Sequence, residues 1–341
     1  MPALSIVAPC FNETSCLAAL HARVSAAARA AVGEDYELVL VDDGSSDGTW
    51  PMMQALAVAD PHLMAVSLSR NHGHQLALTA GLDLCSGERI LIIDADLQDP
   101  PELLPAMIAE MDRRQADVVY GVRRSREGDS AFKRATASLF YRGLSRLAEI
   151  EIPPDVGDFR LITRRALDAL LSLPEEARFI RGMVAWIGFR QVPFAYDREQ
   201  RHAGRTKYPL RKMVRLAADA LTGFSTLPLK LAMHVAAVLG VCSILLLVYI
   251  VLRWWAGRTV EGWPSLMAVV TVLGAAQMGA LAMIGEYLGR VYVEVKRRPL
   301  YIVSEIAGRS PSAPALGHVA QPRETIASSD SPGGSGTRPT T

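Results

Sequence analysis

Short apolar runs alternate with helix-like segments through the first 120 residues, and this alternation limits the fold more than any other feature. The runs are separated by stretches such as the alanine-rich segment 14–31, and they lie at 4–8, 37–41, 63–68, 89–93 and 116–120. Strands that alternate with helices in this way form a mostly parallel sheet with helices on both faces. The sequence therefore predicts an α/β domain.

Hydrophobic residues are spread unevenly along the 341-residue chain. Two uncharged stretches, 231–252 and 262–285, are each long enough to cross a bilayer, whereas the sequence after about residue 307 is rich in Ser, Pro, Gly and Thr. We therefore predict five parts, which are an α/β domain at 1–208, an interfacial amphipathic segment at 209–229, a transmembrane helical hairpin at 230–292, a cytosolic C-terminal segment at 293–307 and a disordered tail at 308–341.

The flanks of the predicted hairpin indicate its orientation. Lysine and arginine residues lie outside both spans, and the turn between them carries Trp254, Trp255 and Trp263. Positive residues favour the cytoplasmic side and tryptophans favour the membrane interface, so we expect both termini and the α/β domain in the cytoplasm. The first residues lack a basic start followed by a long apolar core, so no cleaved signal peptide is expected. The second span contains several small residues, which allow close contacts between helices and make a homo-oligomer one possible assembly. They are Gly274, Ala275, Ala276, Gly279 and Ala280.

Charge and missing motifs exclude several classes of protein. A net charge of +1 argues against a nucleic-acid binder, because binding a phosphate backbone requires a cationic face. The four cysteines are not spaced like the ligands of a metal ion, and they are too few for a protein stabilised by a disulfide framework. Neither a Gly-x-Gly-x-x-Gly fingerprint nor a P-loop is present.

Acidic residues follow two of the predicted strands. Asp94 and Asp96 end the run 90–93, with Gln98 directly after them, and Asp42 ends the run 37–41. Open α/β sheets bind ligands at the carboxyl ends of their strands, and hard oxygen ligands suit Mg²⁺ or Mn²⁺. A lone Asp-x-Asp more often only ends a strand and caps a helix. Ser45, Ser46 and Asp47 are candidate caps for the helix after the second strand.

These motifs, taken in order, resemble those of family 2 glycosyltransferases, which have the GT-A (nucleotide-diphospho-sugar transferase) fold. The resemblance is carried by Pro9-Cys-Phe-Asn-Glu13, Val41-Asp-Asp-Gly-Ser-Ser-Asp-Gly-Thr49 and Asp94-Ala-Asp96. Four further segments, at 70–75, 155–161, 201–208 and 284–299, are most similar to the bacterial membrane-hairpin subgroup of polyprenyl-phosphate (undecaprenyl or dolichyl phosphate) glycosyltransferases. The resemblance covers residues 4–305.

The resemblance implies a set of site residues. For nucleotide-sugar binding they are Pro9, Glu13, Asp42, Asp94 and Asp155. For the metal, Mg²⁺ or Mn²⁺, they are Asp94, Asp96 and Gln98. For the acceptor phosphate they are Arg123, Arg134, Arg201 and Lys207, and for catalysis Asp158 and Asp96. Asp158 is either the catalytic base or a residue that orients the substrates, because a phosphate acceptor is already ionised at neutral pH. His74 is expected to form hydrogen bonds rather than to bind zinc.

The activity implied is the inverting transfer of a hexose from a nucleotide diphosphate to undecaprenyl phosphate at the cytoplasmic face of the bacterial inner membrane. Glucose from UDP-glucose is the working choice. The sequence does not identify which sugar or which nucleotide the donor carries, and it does not distinguish Mg²⁺ from Mn²⁺. A flippase and a second glycosyltransferase are the partners that a lipid-linked product would imply. Two alternatives stay open, a processive polysaccharide synthase and a non-catalytic, membrane-anchored nucleotide-sugar-binding scaffold.

Overall fold

The computed structural model describes residues 1–123, 156–176, 178–197 and 262–309, together with parts of 235–256. Within those residues, eight strands form one sheet. They are β1 (Leu4–Cys10), β2 (Tyr36–Asp42), β3 (Leu63–Leu68), β4 (Arg89–Ile92), β5 (Val118–Arg123), β6 (Val156–Thr163), β7 (Gln191–Tyr196) and β8 (Val303–Gly308).

Seven helices lie entirely within the described residues, and the first begins at Thr14, where the predicted alanine-rich segment 14–31 begins. They are α1 (Thr14–Val32), α2 (Thr49–Ala59), α3 (His74–Leu84), α4 (Leu104–Arg114), α5 (Arg164–Leu171), α6 (Ile180–Trp186) and α7 (Trp263–Lys296). A 3₁₀ turn, Pro101–Leu103, precedes α4. Of the three predicted caps for α2, Asp47 accepts the Thr49 N–H at 3.0 Å.

The strand order in the sheet is β7-β5-β6-β4-β1-β2-β3-β8. The neighbouring strands β1–β2, β2–β3, β1–β4 and β5–β7 are parallel, whereas β6 runs antiparallel to β4 and β5, and β8 runs antiparallel to β3. The predicted mostly parallel sheet is confirmed. The carboxyl ends of β1, β2, β4 and β5 therefore meet at one edge, and β6 begins at the same edge.

Both faces of the sheet are covered. Every residue of β1 and β2 is buried, so these strands appear in the sequence as mainly apolar runs rather than alternating ones. Ser5 and Glu37, two polar residues within them, are joined by a hydrogen bond of 2.6 Å. One face packs against α1, α2 and α4, and the other packs against α3, α5 and α6. Such packing on both sides fixes the positions of the strand ends, and with them the loops at the carboxyl edge.

The strand β8, which follows α7 and completes the far edge of the sheet, was not predicted. Tyr301, just before it, is buried and donates its hydroxyl to Asp83 Oδ2 on α3 at 2.7 Å. Glu305 within β8 accepts Gln54 Nε2 at 2.8 Å and Trp50 Nε1 at 3.3 Å from α2. The segment after α7 thus covers an edge that would otherwise expose unpaired backbone groups of β3.

Among the described residues, no helix has the length and apolar composition of a membrane span. The predicted span 262–285 lies within α7, which continues without a break through Glu286, Arg290, Glu294 and Lys296. The span 231–252 is described only in pieces, and the segment 209–229 lies outside the described residues. The prediction of two spans is therefore not supported by the described part of the chain.

Gly44, in the loop after β2, makes a close backbone contact that a side chain would prevent. Its φ is +66°, and a Cβ there would lie 2.6 Å from the Arg70 carbonyl carbon and 2.6 Å from the Asn71 nitrogen. Gly33, at the end of α1, has a similar φ of +67° but no atom within 4 Å of such a Cβ. A side chain at Gly33 would therefore cause backbone strain alone, whereas a side chain at Gly44 would cause both backbone strain and steric overlap.

We expect Gly33→Ala to lower the free energy of unfolding by about 1–3 kcal/mol through backbone strain alone. Gly44→Ala should cost about 1–3 kcal/mol more, because the backbone of the loop before α3 must also move. Urea unfolding of both variants measures the difference. Equal losses would contradict the close contact at Gly44.

Candidate active site

The loops after β1 and β2 hold each other in place. The Asn12 N–H donates to Ser45 Oγ at 2.9 Å, and the Ser46 N–H donates to Asn12 Oδ1 at 2.9 Å. The Glu13 N–H donates to Thr49 Oγ1 at 3.0 Å, which ties the start of α1 to the start of α2. The two motifs that the sequence analysis recognised separately are therefore one structural unit.

Three predicted nucleotide-sugar residues lie along this unit. Pro9 is paired in register with Val41, and Cys10 with Asp42. Asp42 therefore ends β2, and Pro9 lies one residue before the end of the adjacent parallel strand β1. Glu13 follows in the loop that leads into α1. The structure thus brings Pro9, Glu13 and Asp42 to the same edge, as their sequence positions predict.

The carboxylates of Asp42 and Asp43 have different surroundings. Asp42 is buried and accepts the Ser45 N–H at 3.2 Å, and burial raises its pKa even though the hydrogen bonds from Ser45 lower it. Asp43 accepts the N–H groups of His72 and Gly73 at 2.7 and 2.9 Å. Asp43 thus fastens the end of β2 to the start of α3, while Asp42 remains the better candidate for contact with a ligand.

Asp158, near the start of β6, has hydrogen-bond partners on three side chains, those of Arg181, His74 and Gln75. It is buried, and it accepts Arg181 Nε on Oδ1 at 2.8 Å and Arg181 Nη2 on Oδ2 at 3.1 Å. His74 Nε2 lies 3.2 Å from Oδ2, and Gln75 Nε2 donates to Oδ2 at 3.4 Å. Burial works in the opposite direction, but Arg181 and His74 hold the pKa of Asp158 well below its usual range. Since a carboxylate with so low a pKa is a weak base, this geometry favours the orienting role over proton removal.

Asp94, in the loop after β4, is in a contrasting situation. Its Oδ1 is buried without a hydrogen-bond partner among the described residues and lies 3.5 Å from His74 Nε2. Burial raises the pKa of Asp94 to about 6, and the charges of Asp158, Asp99 and Asp96 add to the rise. Partial burial lowers the pKa of His74, but the hydrogen bond to Asp158 and the charge of Asp94 outweigh that effect and raise it.

These surroundings fit a divalent cation. His74, Asp94 and Asp158 offer potential ligand atoms that lie within 4.8 Å of one another. Because Arg181 already binds both oxygens of Asp158, Asp94 is the member of this group that best suits a hard cation. Of the other predicted ligands, Asp96 accepts the Gln98 N–H at 3.2 Å in a turn where Leu97 has a φ of +57°. Asp96 and Gln98 lie in the same loop as Asp94, and their coordination of a metal stays a prediction.

Arg123, the last residue of β5, lies at the same edge. A Cβ on Gly157 would be 3.0 Å from Arg123 Nη2, so the guanidinium lies directly over the start of β6. It also contacts the hydroxyl of Tyr196, which donates to Asp99 Oδ1. Arg123 Nε is buried without a hydrogen-bond partner among the described residues. The remaining predicted residues, Asp155, Arg134, Arg201 and Lys207, lie outside the described part of the chain.

Two arginines that were not among the predicted site residues, Arg160 and Arg181, lie beside Asp158. Arg160 is buried, donates from Nη2 to the Gly157 carbonyl at 3.0 Å, and has its pKa lowered to about 10 mainly by burial. Arg160 Nη2 also lies 3.9 Å from Asp158 Oδ1. Because side chains two residues apart share a face of a strand, the spacing of Asp158 and Arg160 could have indicated this ion pair. Arg181 lies 23 residues after Asp158, and no local pattern links the two residues.

Comparison with known proteins places these observations in a family. The model of glycosyl transferase family 2 matches residues 5–171. The uncharacterized glycosyltransferase YkcC of Bacillus subtilis is 42% identical over 305 residues, which cover 89% of this chain and 94% of that protein. The chain belongs to glycosyl transferase family 2. The predicted GT-A fold is thereby confirmed, with its mostly parallel sheet and helices on both faces.

Other members of the family have more specific names. The prophage bactoprenol glucosyl transferase homolog of Escherichia coli K12 is 36% identical over 304 residues, covering 89% of this chain and 99% of that protein. The bactoprenol glucosyl transferase of Shigella phage SfII is 36% identical over 303 residues, covering 89% and 97%. Among solved structures, glucosyl-3-phosphoglycerate synthase from Mycobacterium tuberculosis is 20% identical, covers 65% of this chain and 78% of that chain, and has a TM-score of 0.44.

The raised pKa of Asp94 predicts a pH-dependent stability. A carboxyl group whose pKa rises on folding from 3.8 to about 6 binds more protons in the folded state, so stability falls as the pH rises through this interval. The variant Asp94→Asn lacks this titration. We expect the metal-free variant to be more stable than the wild type by up to about 3 kcal/mol at neutral pH, with the advantage shrinking as the pH falls toward 4.

Urea unfolding in the presence of a chelator, repeated across this pH interval, measures both proteins. A constant difference between them at every pH would mean that Asp94 has an ordinary pKa in the folded state.

Proposed function

We propose that the protein transfers glucose from UDP-glucose to undecaprenyl phosphate, with inversion at the anomeric carbon, at the cytoplasmic face of a bacterial membrane. The observation that carries the reaction class is the carboxyl edge itself. There Asp94 Oδ1 is buried without a hydrogen-bond partner among the described residues. It lies at the same edge as Pro9 and Asp42, near the ends of β1 and β2, and as Glu13 in the loop after β1. The relatives named bactoprenol glucosyl transferase, which this chain matches over nearly their full length, support the choice of sugar and acceptor.

In this proposal Asp94, Asp96 and Gln98 hold Mg²⁺ or Mn²⁺. Such an ion, when bound, supplies positive charge to the diphosphate that leaves the sugar. The loop after β4 offers oxygen ligands, as these hard cations require. The raised pKa of Asp94 supports the assignment. Burial and the charges of Asp158, Asp99 and Asp96 outweigh the opposing effect of His74, and a cation stabilises a carboxylate in such surroundings.

The donor lies along the strand ends. Pro9, Glu13 and Asp42 contact the nucleotide base, Asp94 lies near the ribose, and Asp155 lies beside the sugar. An oxygen of the acceptor phosphate attacks the anomeric carbon opposite the leaving diphosphate, so one carbon–oxygen bond forms while another breaks. Because the attacking oxygen is already ionised, no proton has to be removed. The low pKa of Asp158 agrees with such a reaction, in which the carboxylate orients the substrates.

The acceptor phosphate and the donor diphosphate are both anions, so cations must screen their approach. Arg123 is half-buried at the end of β5, and its Nε lacks a hydrogen-bond partner among the described residues. A guanidinium offers several N–H donors in a planar fork, a geometry well suited to phosphate oxygens. We assign Arg123 to the acceptor phosphate and extend the assignment to Arg134, Arg201 and Lys207.

A polyprenyl acceptor also requires contact with a membrane. The proposal keeps a membrane-attached hairpin at 230–292, with both termini and the catalytic domain in the cytoplasm. Support comes from α7, where large apolar side chains are more than half exposed, including Leu281, Ile284, Leu288 and Val291. Exposed apolar surface on this scale is unusual for a helix surrounded by water.

The function is tested with detergent-purified protein, undecaprenyl phosphate, Mg²⁺ or Mn²⁺, and each nucleotide sugar in turn. We expect UDP-glucose to yield a lipid-extractable product with a single sugar. Asp96→Ala should lower the rate at least about 100-fold, because charge stabilisation of the leaving group is lost. Asp112→Ala, which removes an exposed carboxylate paired with Arg89, should stay within about twofold of the wild type.

Turnover that survives chelation or Asp96→Ala would contradict the metal assignment. A product with many sugars would indicate a polysaccharide synthase, and donor binding without any turnover would indicate a scaffold.

Arg123→Met tests the acceptor site. We expect the KM for undecaprenyl phosphate to rise about tenfold or more, as the loss of a charge-assisted hydrogen bond predicts, with the KM for the donor nearly unchanged. Arg113→Met is the matched control, because Arg113 is an exposed arginine of α4 that pairs with Glu110. An unchanged acceptor KM in Arg123→Met would show that the phosphate binds elsewhere.

A further inference from the structure

Arg181 contacts Asp158 through two hydrogen bonds, whereas a single contact would be enough to pair their charges. Two different nitrogens of its guanidinium reach the two oxygens of one carboxylate, at 2.8 and 3.1 Å. Such a two-point contact fixes the plane of the carboxylate as well as its charge. The Arg181 side chain is still 32% exposed, so it reaches Asp158 from the solvent side of the site.

The backbone beside Arg181 is held by a second contact to the same network. Ile180 N–H donates to Gln75 Oε1 at 3.0 Å, while Gln75 Nε2 donates to Asp158 Oδ2 at 3.4 Å. Gln75 therefore links the start of α6 to the start of α3 around Asp158. Ile180 and Met183 are buried in the core, which anchors α6 in the position that this link requires.

The segment before α6 is also fixed at its other end. The Glu176 N–H donates to Glu294 Oε1 at 3.0 Å, near the end of α7. Burial lowers the pKa of Arg178, which interacts with the charges of Asp83, Glu175 and Glu294. Arg181 thus extends from a stretch of chain that α3 and α7 hold on two sides.

Asp158 needs such support because it has a negative neighbour. Its carboxylate and that of Asp94 share a group of potential ligand atoms within 4.8 Å. Two carboxylates at this separation repel each other in a buried site, and rotation of the Asp158 side chain is the simplest way to relieve the repulsion. A guanidinium that binds both oxygens opposes this rotation.

We propose that Arg181 is a positioning residue for sugar transfer, which holds the Asp158 carboxylate in the orientation that faces the reacting groups. This inference rests on the function proposed above. Arg181 itself contacts neither the sugar nor the metal in this account, and acts through Asp158. The orientation depends on the two-point contact, so a lysine, which keeps the charge without the planar fork, is a poor substitute.

The test measures steady-state transfer by Arg181→Ala and Arg181→Lys. We expect kcat to fall about 100-fold in Arg181→Ala and about tenfold in Arg181→Lys, with the donor KM within about threefold of the wild type, because donor binding is intact. Millimolar guanidinium should restore part of the activity of Arg181→Ala, and methylammonium should restore less.

Arg165→Ala is the matched control, because Arg165 binds both oxygens of Asp117 at 2.5 and 2.8 Å outside the site. It should keep kcat within about twofold and should not respond to guanidinium.

A kcat within twofold of the wild type in Arg181→Ala would overturn the proposal. The proposal would also be overturned if the activity of Arg181→Ala fell through a rise in the donor KM rather than a fall in kcat, and guanidinium did not restore it. Thermal unfolding of Asp158→Asn, Arg181→Ala and the double variant tests the contact without any assay of transfer. If the double variant loses less stability than the sum of the losses in the two single variants, the contact between Arg181 and Asp158 is supported. A loss equal to that sum would overturn it. A wild-type protein that transfers no sugar, but whose unfolding shows this coupling, would contradict the proposed function and leave the contact established.

Discussion

Several buried carboxylates meet at one edge of the sheet, and the compensation of their charge is the constraint on which the site depends. A carboxylate removed from water requires hydrogen bonds, a positive partner or a proton. Asp43 receives two backbone N–H groups, and Asp158 receives the fork of Arg181. Asp94 has His74 nearby but no hydrogen bond to its buried oxygen among the described residues. The pKa values of Asp94 and Asp158 are consequently shifted in opposite directions, a pattern typical of sites where neighbouring acids have different tasks.

The fold produces this arrangement through one change of strand direction. Parallel strands deliver the loops after β1, β2 and β4 to the same edge, but they place no strand start there. Because β6 is antiparallel to β4, its first residues face the loop after β4, and Asp158 comes close to Asp94. The helices α3 and α6 then supply His74, Gln75 and Arg181 from one face of the sheet.

The sequence predicts the central strands well and the outer ones poorly. The predicted run 63–68 coincides with β3, because a strand covered on both faces is mainly apolar, and Ser67 is the one polar residue of this strand. The run 116–120 is displaced relative to β5, Val118–Arg123. Asp117 precedes the strand and accepts Arg165 Nη2 on Oδ2, while the strand continues into the polar Arg123. The strand β8 is defined by its pairing with β3 and by the burial of Tyr301, and neither contact leaves a periodic pattern in the sequence.

The site divides in the same way. Asp42 and Asp94 follow apolar runs directly, so local sequence indicates their place at the carboxyl edge. Arg181 comes from a seven-residue helix whose position depends on Gln75 and the core, and only the folded chain reveals its contact with Asp158.

The most direct test of the account is the binding of Mn²⁺ measured by electron paramagnetic resonance, with and without UDP. The account predicts a Mn²⁺ site that UDP strengthens in the wild type, that Asp94→Asn weakens strongly, and that Asp112→Asn leaves intact. Equal Mn²⁺ binding by the wild type and Asp94→Asn in the presence of UDP would contradict it.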